Sequence, residues 1–275
     1  MSEYPDPNIY LAQTRAIAHE AGEHILAIYQ RPFTTSEKQD GSPLTEADRA
    51  AHALISSRLR ALTPDIPVLS EESATVGYEE RGAWTRLWLV DPLDGTKEFV
   101  KRNDEFTVNI ALIEDCQPVL GVVLAPALRV VYWACRGRGA FKQTSGGAQQ
   151  PIHARPYAGG KAKIAVSRSH PGERLAGFLQ SVTRRQGPPE TLAMGSALKM
   201  CLVADGTVDV YARFGPTSEW DTAAAQCVVA QAGGRLTDFT GRALVYNKCS
   251  LLNPWFVASG AGDYDWISHV NDQSR

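Results

Sequence analysis

Trp88-Leu89-Val90-Asp91-Pro92-Leu93-Asp94-Gly95-Thr96-Lys97-Glu98-Phe99 is the stretch from which the fold is read. Leu87 to Val90 is continuously apolar, which predicts a strand buried on both faces. Asp91 closes it. Pro92 fixes its own φ and has no N–H to donate, so the strand is expected to end there. Gly95 permits a tight turn. Asp91 and Asp94, separated by Pro92 and Leu93, can face one point around that turn, and the Leu93 carbonyl lies between them. Such a group of oxygen donors suits a hard cation such as Mg²⁺, which keeps waters or phosphate oxygens in its other positions and so serves catalysis readily. The same residues also read as a plain Asp-Gly turn. Their surroundings decide between the two.

A second acidic pair, Glu71-Glu72, closes another short apolar run, Pro67 to Ser70. Asp221 sits where the loop from Gly215 to Trp220 becomes a helix. Taken singly, the glutamates read as a solvated turn and Asp221 as an N-cap. Together they place carboxylates at strand and helix ends, where α/β sheets hold ligands. Thr45-Glu46-Ala47-Asp48 is a loose capping box. An Asp held there can also act as a base toward water.

Around these motifs the chain has regular punctuation. Apolar spacing predicts a helix over 9–29, with Ile17, Ala18, Ala21, Ile25, Ile28 and Tyr29 on one face and Pro32 stopping it. A polar loop covers 34–43. A second helix runs from Thr45 to Pro64, striped by Ala51, Leu54, Ile55, Leu59 and Leu62, with the Arg58 stem along the stripe. Strands over 106–113, 119–124 and 130–134 follow at hairpin spacing, which predicts an antiparallel sheet. The small polar segment 144–150 is the expected domain boundary. It divides an α+β half, 1–150, from an α/β half, 151–275. In the second half the pattern predicts strands over 163–166 and 208–211 and helices over 172–182, 196–204 and 221–232. Gly233-Gly234 ends the last helix, and a strand starts at Arg235.

Composition narrows the possible functions. A chain of 275 residues, 44% hydrophobic and 21% charged, is an ordinary globular one of one large or two smaller domains. A net charge of −2 gives no global pull toward nucleic acid or anionic membrane, so any phosphate chemistry must be local. The five cysteines include no C-x-x-C pair, which disfavours a zinc knuckle and reads as reduced, mostly buried thiols. The acidic start lacks an apolar signal core. The most apolar stretch, 119–135, is interrupted by Pro126 and Arg129 and is too short to span a bilayer. A cytoplasmic protein is expected.

Glu71-Glu72-Ser73, the long motif from Trp88 to Phe99, and Glu219-Trp220-Asp221-Thr222-Ala223-Ala224 ahead of Gly233-Gly234 occur in that order. In this the chain resembles the lithium-sensitive, Mg²⁺-dependent phosphomonoesterase family that includes inositol monophosphatase, from about Ile9 to the last strand. The resemblance implies a layered αβαβα sandwich; strand order is not readable. Lys97-Glu98-Phe99 stands where inositol phosphatases tend to carry Thr-Asn-Phe. That motif, Val166-Ser167-Arg168-Ser169-His170, Gly195-Ser196-Ala197-Leu198-Lys199 and the run from Tyr211 to Thr217 resemble the family's bacterial 3′(2′),5′-bisphosphate nucleotidases. These remove the 3′-phosphate from adenosine 3′,5′-bisphosphate (PAP), and the sulfated form PAPS is a further substrate. Arg213 falls near the position of a glutamate that serves inositol hydroxyls in inositol phosphatases, and an arginine suits a second phosphate.

By that resemblance Glu71, Asp91 and the Leu93 carbonyl hold one Mg²⁺. Asp91, Asp94 and Asp221 hold a second, and Glu71 helps with a weaker third. Asp48 and Thr96 position and deprotonate the attacking water, with Glu71 counted among the catalytic groups. Gly95, Thr96, Ser167, His170, Gly195, Lys199, Arg213 and Asp221 face the substrate. Glu72 matches the motif without a direct role. The aspartates are spaced D-x-x-D rather than the D-x-D of aspartyl-nucleophile phosphatases, which favours direct attack by water. The implied partner is a small nucleotide, not a nucleic acid, bound by a monomer or homodimer. The implied location is the cytoplasm or the cytoplasmic face of the inner membrane. An inositol or sugar monophosphatase of the same fold, and a non-catalytic nucleotide or metal sensor, are the alternatives.

Overall fold

The computed structural model describes residues 4–37, 43–73, 76–168 and 172–271. The predicted first helix starts as a 3₁₀ turn, Pro7–Tyr10, and becomes α-helical as α1 (Leu11–Tyr29). Residues 38–42 of the predicted loop lie outside the described residues. Thr35–Glu37 (β1) and Pro43–Thr45 (β2) pair antiparallel and lead into α2 (Glu46–Leu62). Thr45 is its N-cap, and the capping box with Asp48 is complete. Arg58 is exposed and paired with Glu20 at 2.6 Å.

Seven strands form the larger sheet in sequence order: β3 (Val68–Ser70), β4 (Arg86–Asp94), β5 (Thr107–Glu114), β6 (Gln117–Ala125), β7 (Val130–Cys135), β8 (Gly139–Thr144) and β9 (Gln150–Ile152). The short helices α3 (Tyr78–Arg81) and α4 (Thr96–Val100) sit between strands. The sheet is antiparallel as expected, except that β3 and β4 run parallel. Pro92 does not end its strand. The β4–β5 register shifts between Asp91 and Asp94, so Pro92 lies in an irregularity that the ladder tolerates. The segment 144–150 joins β8 to β9 as a hairpin turn, and the division drawn at residue 150 falls inside β9.

The smaller sheet has the order β11-β10-β12-β14-β13, from β10 (Lys163–Ser167), β11 (Glu190–Met194), β12 (Val210–Arg213), β13 (Arg235–Asp238) and β14 (Phe256–Ser259). Both β11 and β12 run parallel to β10. The accompanying helices are α5 (Glu173–Gln186), α6 (Leu198–Ala204), α7 (Glu219–Gln231) and α8 (Ile267–Asn271). β11 and β14 were not expected from the sequence. β11 is an edge strand whose first residues are exposed, so it carries little apolar signal.

Three apolar clusters fix the layering. Successive residues along a strand face opposite sides. Trp88, Val90, Ile110, Leu112 and Val122 pack with Ile17, Ile25, Ile55 and Leu59 of α1 and α2. Their neighbours Leu87, Leu89, Ala111, Ile113 and Val123 face a central layer of α6 and α7. The same central cluster includes Tyr211, Phe256 and Ala258 of the smaller sheet. The far face of that sheet, Ile164, Val210 and Val257, packs with Phe178 of α5 and Trp266 and Val270 near α8. The result is the αβαβα sandwich, with both halves sharing the central core. Helix α7 is buried on nearly every side, as its small and apolar sequence from Thr222 to Val229 requires.

Candidate active site

The parallel pairing of β3 with β4 places Ser70 opposite Val90, so the next residues, Glu71 and Asp91, stand side by side. The Glu71 amide is pinned to the Val90 carbonyl at 3.0 Å. Across the next strand, Asp91 pairs with Asn109 and Asp94 with Thr107. Asn109 Nδ2 and Thr107 Oγ1 donate to Asp94 Oδ2 at 3.3 and 3.4 Å. Asp221 arrives from the other half. It is not the N-cap of α7; Ser218 is, and Asp221 stands at N3, accepting from the Ser218 amide at 2.8 Å.

These acids line or underlie a cleft of about 240 Å³. Glu71, Asp94 and Asp221 line it, together with Ser167, Lys199 and Arg213 from the smaller sheet and α6. Gly95 and Thr96 complete the predicted residues on its wall. Asp91 lies beneath, 1% exposed. Burial first, and then the charges of Glu71, Asp94 and Asp221, push Asp91 well above the usual carboxylate range. Asp221 is pushed up to about 8, by burial and then by Asp94 and Glu71. Asp94 is also raised by burial, with Lys199 and the Ala197 amide opposing.

Asp48 is fully buried at the start of α2. Its Oδ2 accepts from the Thr45 amide at 2.7 Å and from Thr45 Oγ1 at 2.5 Å. Thr96 Oγ1 lies 3.2 Å from both Asp48 Oδ1 and the Leu93 carbonyl. The capping box therefore serves two purposes: it starts a helix and holds a carboxylate against the Thr96 hydroxyl. On the cationic side, Lys199 Nζ donates to Ser196 O at 2.7 Å and Met194 O at 3.3 Å. It stands 5.4 Å from the centre of the Tyr211 ring, within cation–π reach. Burial pushes the ammonium down to about 8, and Asp94 opposes that shift. Arg213 is braced by the carbonyls of Gly215 and Pro216.

Of the expected substrate residues, one is not described and one falls elsewhere. His170 lies outside the described residues. Gly195 is not on the cleft wall: its amide donates to Glu105 Oε2 at 2.8 Å, and a Cβ there would meet Glu105 O at 2.6 Å. Its role in the structure is close approach. Sequence reading missed Glu98, Ser196 and Tyr211, which line the cleft. Ser196 takes a positive φ of 45° and keeps its Oγ buried without a protein partner. Asn109 and Thr107 were legible only by parity, since alternate residues of β5 face Asp94.

The donor set fits a divalent cation. The acids are all hard oxygen donors, several are desolvated, and they raise one another's cost of ionisation, which a cation relieves. Among the described residues, no three acid, histidine or cysteine side chains are already drawn into a ready metal cluster. No helix among the described residues is long and apolar enough to cross a membrane.

The sequence profile of the inositol monophosphatase family matches residues 7–262. The chain is 49% identical over 251 residues to the 3′(2′),5′-bisphosphate nucleotidase CysQ of Salmonella typhimurium, covering 90% of this chain and 98% of that one. It is 48% identical over 254 residues to the Escherichia coli K12 protein of the same name, covering 90% and 99%. The solved structure of CysQ from Bacteroides thetaiotaomicron superposes with a TM-score of 0.80 at 39% identity, covering 92% and 99%. An inositol monophosphatase from Thermotoga maritima superposes at 0.75 with 28% identity, covering 94% of each chain. With the ordered carboxylates, the five layers and these similarities in agreement, the chain belongs to the inositol monophosphatase family.

Proposed function

We propose that the chain is a 3′(2′),5′-bisphosphate nucleotidase that hydrolyses the 3′-phosphate of PAP, and also PAPS, with two or three Mg²⁺ ions. The observation that carries this is the mixed lining of the cleft: carboxylates Glu71, Asp94 and Asp221 share it with the cations Lys199 and Arg213. A substrate with one phosphate engages the carboxylates through its cations and leaves the two cationic side chains without a phosphate. A bisphosphate engages both sets. In this reading the N-terminal half, 1–150, supplies most metal ligands, and the half from 151 supplies Asp221 and the nucleotide contacts.

Glu71, Asp91, Asp94 and Asp221 would hold the cations, which when bound stabilise the charge on the attacking and leaving oxygens. Asp94 Oδ2 already accepts from Ala197, Asn109 and Thr107, so its Oδ1 is the better placed donor. Thr96 Oγ1 can give its single proton to Asp48 Oδ1 and offer its lone pairs to a water. Asp48 thereby orients the hydroxyl and receives the proton as water attacks, while the Thr45 donors keep its other oxygen fixed. Lys199 and Arg213 bind the phosphate that is not cleaved.

The direct test is phosphate release with Mg²⁺ from PAP and from inositol 1-phosphate, side by side. Strong preference for PAP is expected; preference for inositol 1-phosphate would overturn the substrate reading and leave the fold and carboxylates intact. Arg213→Glu is expected to raise the KM for PAP at least about 50-fold, as loss of a charge-assisted phosphate contact and a new repulsion would do. Its Mg²⁺ activation curve should stay within about twofold of wild type, because Arg213 is not one of the proposed metal ligands.

The pH dependence follows from Lys199. With its ammonium at about 8, the side chain is charged below that pH and neutral above it. The KM for PAP should therefore rise several-fold as pH climbs from 8 to about 9.5. Lys199→Arg should flatten that limb, since a guanidinium stays charged throughout. A wild-type KM that does not change across this interval would remove Lys199 from phosphate binding.

A further inference from the structure

Glu105 lies between α4 and β5, outside the cleft wall, and is 8% exposed. Its Oε2 accepts from the Gly195 amide at 2.8 Å and from Arg168 Nε at 2.8 Å. Its Oε1 accepts from Arg168 Nη2 at 2.6 Å. The same Nη2 donates to the Ala193 carbonyl at 3.0 Å. Glu105 and Arg168 thus hold the β11–α6 turn on both sides of Met194, by a carbonyl before it and an amide after it.

That turn leads into Lys199 on α6. Lys199 grips the turn in return through the Met194 and Ser196 carbonyls, and Asp94 accepts from the Ala197 amide at 2.6 Å. The contact is close: a Cβ at Gly195 would fall 2.6 Å from the Glu105 carbonyl and 2.7 Å from Glu98 Cγ. Glu105 comes from the N-terminal half, and Arg168 and Gly195 from the C-terminal half. The pair therefore fixes where the turn leading to Lys199 stands relative to the N-terminal half that carries Glu71, Asp91 and Asp94. An exposed ion pair would contribute little. This one is bidentate, its carboxylate is buried, and it also receives a buried amide, so removing its charge leaves those donors under-satisfied.

We propose that Glu105 is a positioning residue: acting with Arg168 on the β11–α6 turn, it sets the place of Lys199 and so governs affinity for the bisphosphate rather than the chemical step. The identity of the substrate rests on the nucleotidase reading above. Neither residue touches the reacting phosphate, so the cations and the attacking water should work as before once substrate is bound.

The test compares wild type, Glu105→Gln, Arg168→Gln and the double variant with PAP and with p-nitrophenyl phosphate, which has no second phosphate. Each single variant should raise the KM for PAP about tenfold, leave kcat within about twofold, and leave the KM for p-nitrophenyl phosphate nearly unchanged. The double variant should be no worse than the worse single one, since both break the same link. Arg168→Lys should recover part of the loss. An unchanged KM for PAP, or equal losses on both substrates that track a lower melting temperature, would overturn the proposal. Arg168 is half-exposed, so its variants keep the test open should Glu105→Gln fold poorly. If wild type releases no phosphate from PAP, the nucleotidase reading falls. The clamp is then decided by amide hydrogen exchange over 193–199, which should quicken at least about tenfold in Glu105→Gln and refutes the clamp if unchanged.

Discussion

Asp91→Asn is expected to lower phosphate release at least about a thousandfold and, in the same protein, to raise the melting temperature when divalent cations are chelated. The first effect follows from position. Asp91 stands beside Glu71 through the β3–β4 register and is buried beneath Asp94 and Asp221, at the centre of the acids. Losing its charge weakens cation binding, and a loss of about 4 kcal/mol of transition-state stabilisation is about a thousandfold in rate. The second effect has the opposite sign. Burial and three neighbouring acids make the ionised Asp91 costly in the folded state. An amide keeps the acceptor that the Leu93 amide uses at 3.0 Å and discards the repulsion. A gain of about 1–2 kcal/mol corresponds to a few degrees in a chain this long.

With Mg²⁺ the order should invert, because wild type gains stability by ligand binding and the variant loses most of that gain. Melting curves with EDTA and with Mg²⁺, alongside phosphate release, test both signs. The sign argument also covers acid conditions. Asp91 and Asp221 have folded-state values raised above their unfolded ones, so in the cation-free protein their contribution favours folding at low pH and declines as pH rises through the window above the ordinary carboxylate value. A variant that melts below wild type in EDTA would show that Asp91 supports the fold rather than straining it.

Gly121→Ala is expected to cost about 3 kcal/mol and to cut kcat more than tenfold in protein that still folds. Gly121 sits in β6, directly under α7. A Cβ there would lie 2.3 Å from the Ala224 carbonyl and 2.9 Å from Cys227 Cβ. Neither obstacle is the tip of a flexible side chain, so the helix must lift. Overpacking of this kind costs about 1–3 kcal/mol or more, or roughly 6–12 °C at the upper end of that range. Asp221 stands one turn before Ala224 on the same helix, so lifting α7 moves a proposed metal ligand. Thermal melting and kcat measured well below the melting temperature separate the two losses. Full activity in the folded variant would mean that Asp221 is placed by its capping box with Ser218 and not by the packing of α7.

Several features were legible from local chemistry. The Thr45 and Asp48 capping box needs only neighbouring residues, and it formed with the expected bonds. The apolar run through Leu87–Val90 is covered on both faces, with Trp88 and Val90 toward one cluster and Leu87 and Leu89 toward the other. Features that depend on distant partners were not legible. Pro92 carries its local rule, yet the ladder accommodates it in a register shift that only the pairing with β5 defines. The resemblance puts Gly195 on the nucleotide site, but Glu105 of the other half takes its amide. β11 forms because β10 offers it an edge, although its own residues are largely exposed.

The sequence by itself placed a set of acids at the ends of apolar segments, and their order along the chain, by its resemblance to a known family, marked them as the candidates for the chemistry. Only the tertiary structure decided how they meet. Parallel β3–β4 pairing brings Glu71 to Asp91, α7 brings Asp221 across the central core, and the β11–α6 turn brings Lys199 to the same cleft. The physical reason is range. Caps, turns and strand periodicity are settled within a few residues, whereas register and half-to-half placement are settled by packing and hydrogen bonds between segments far apart in the chain.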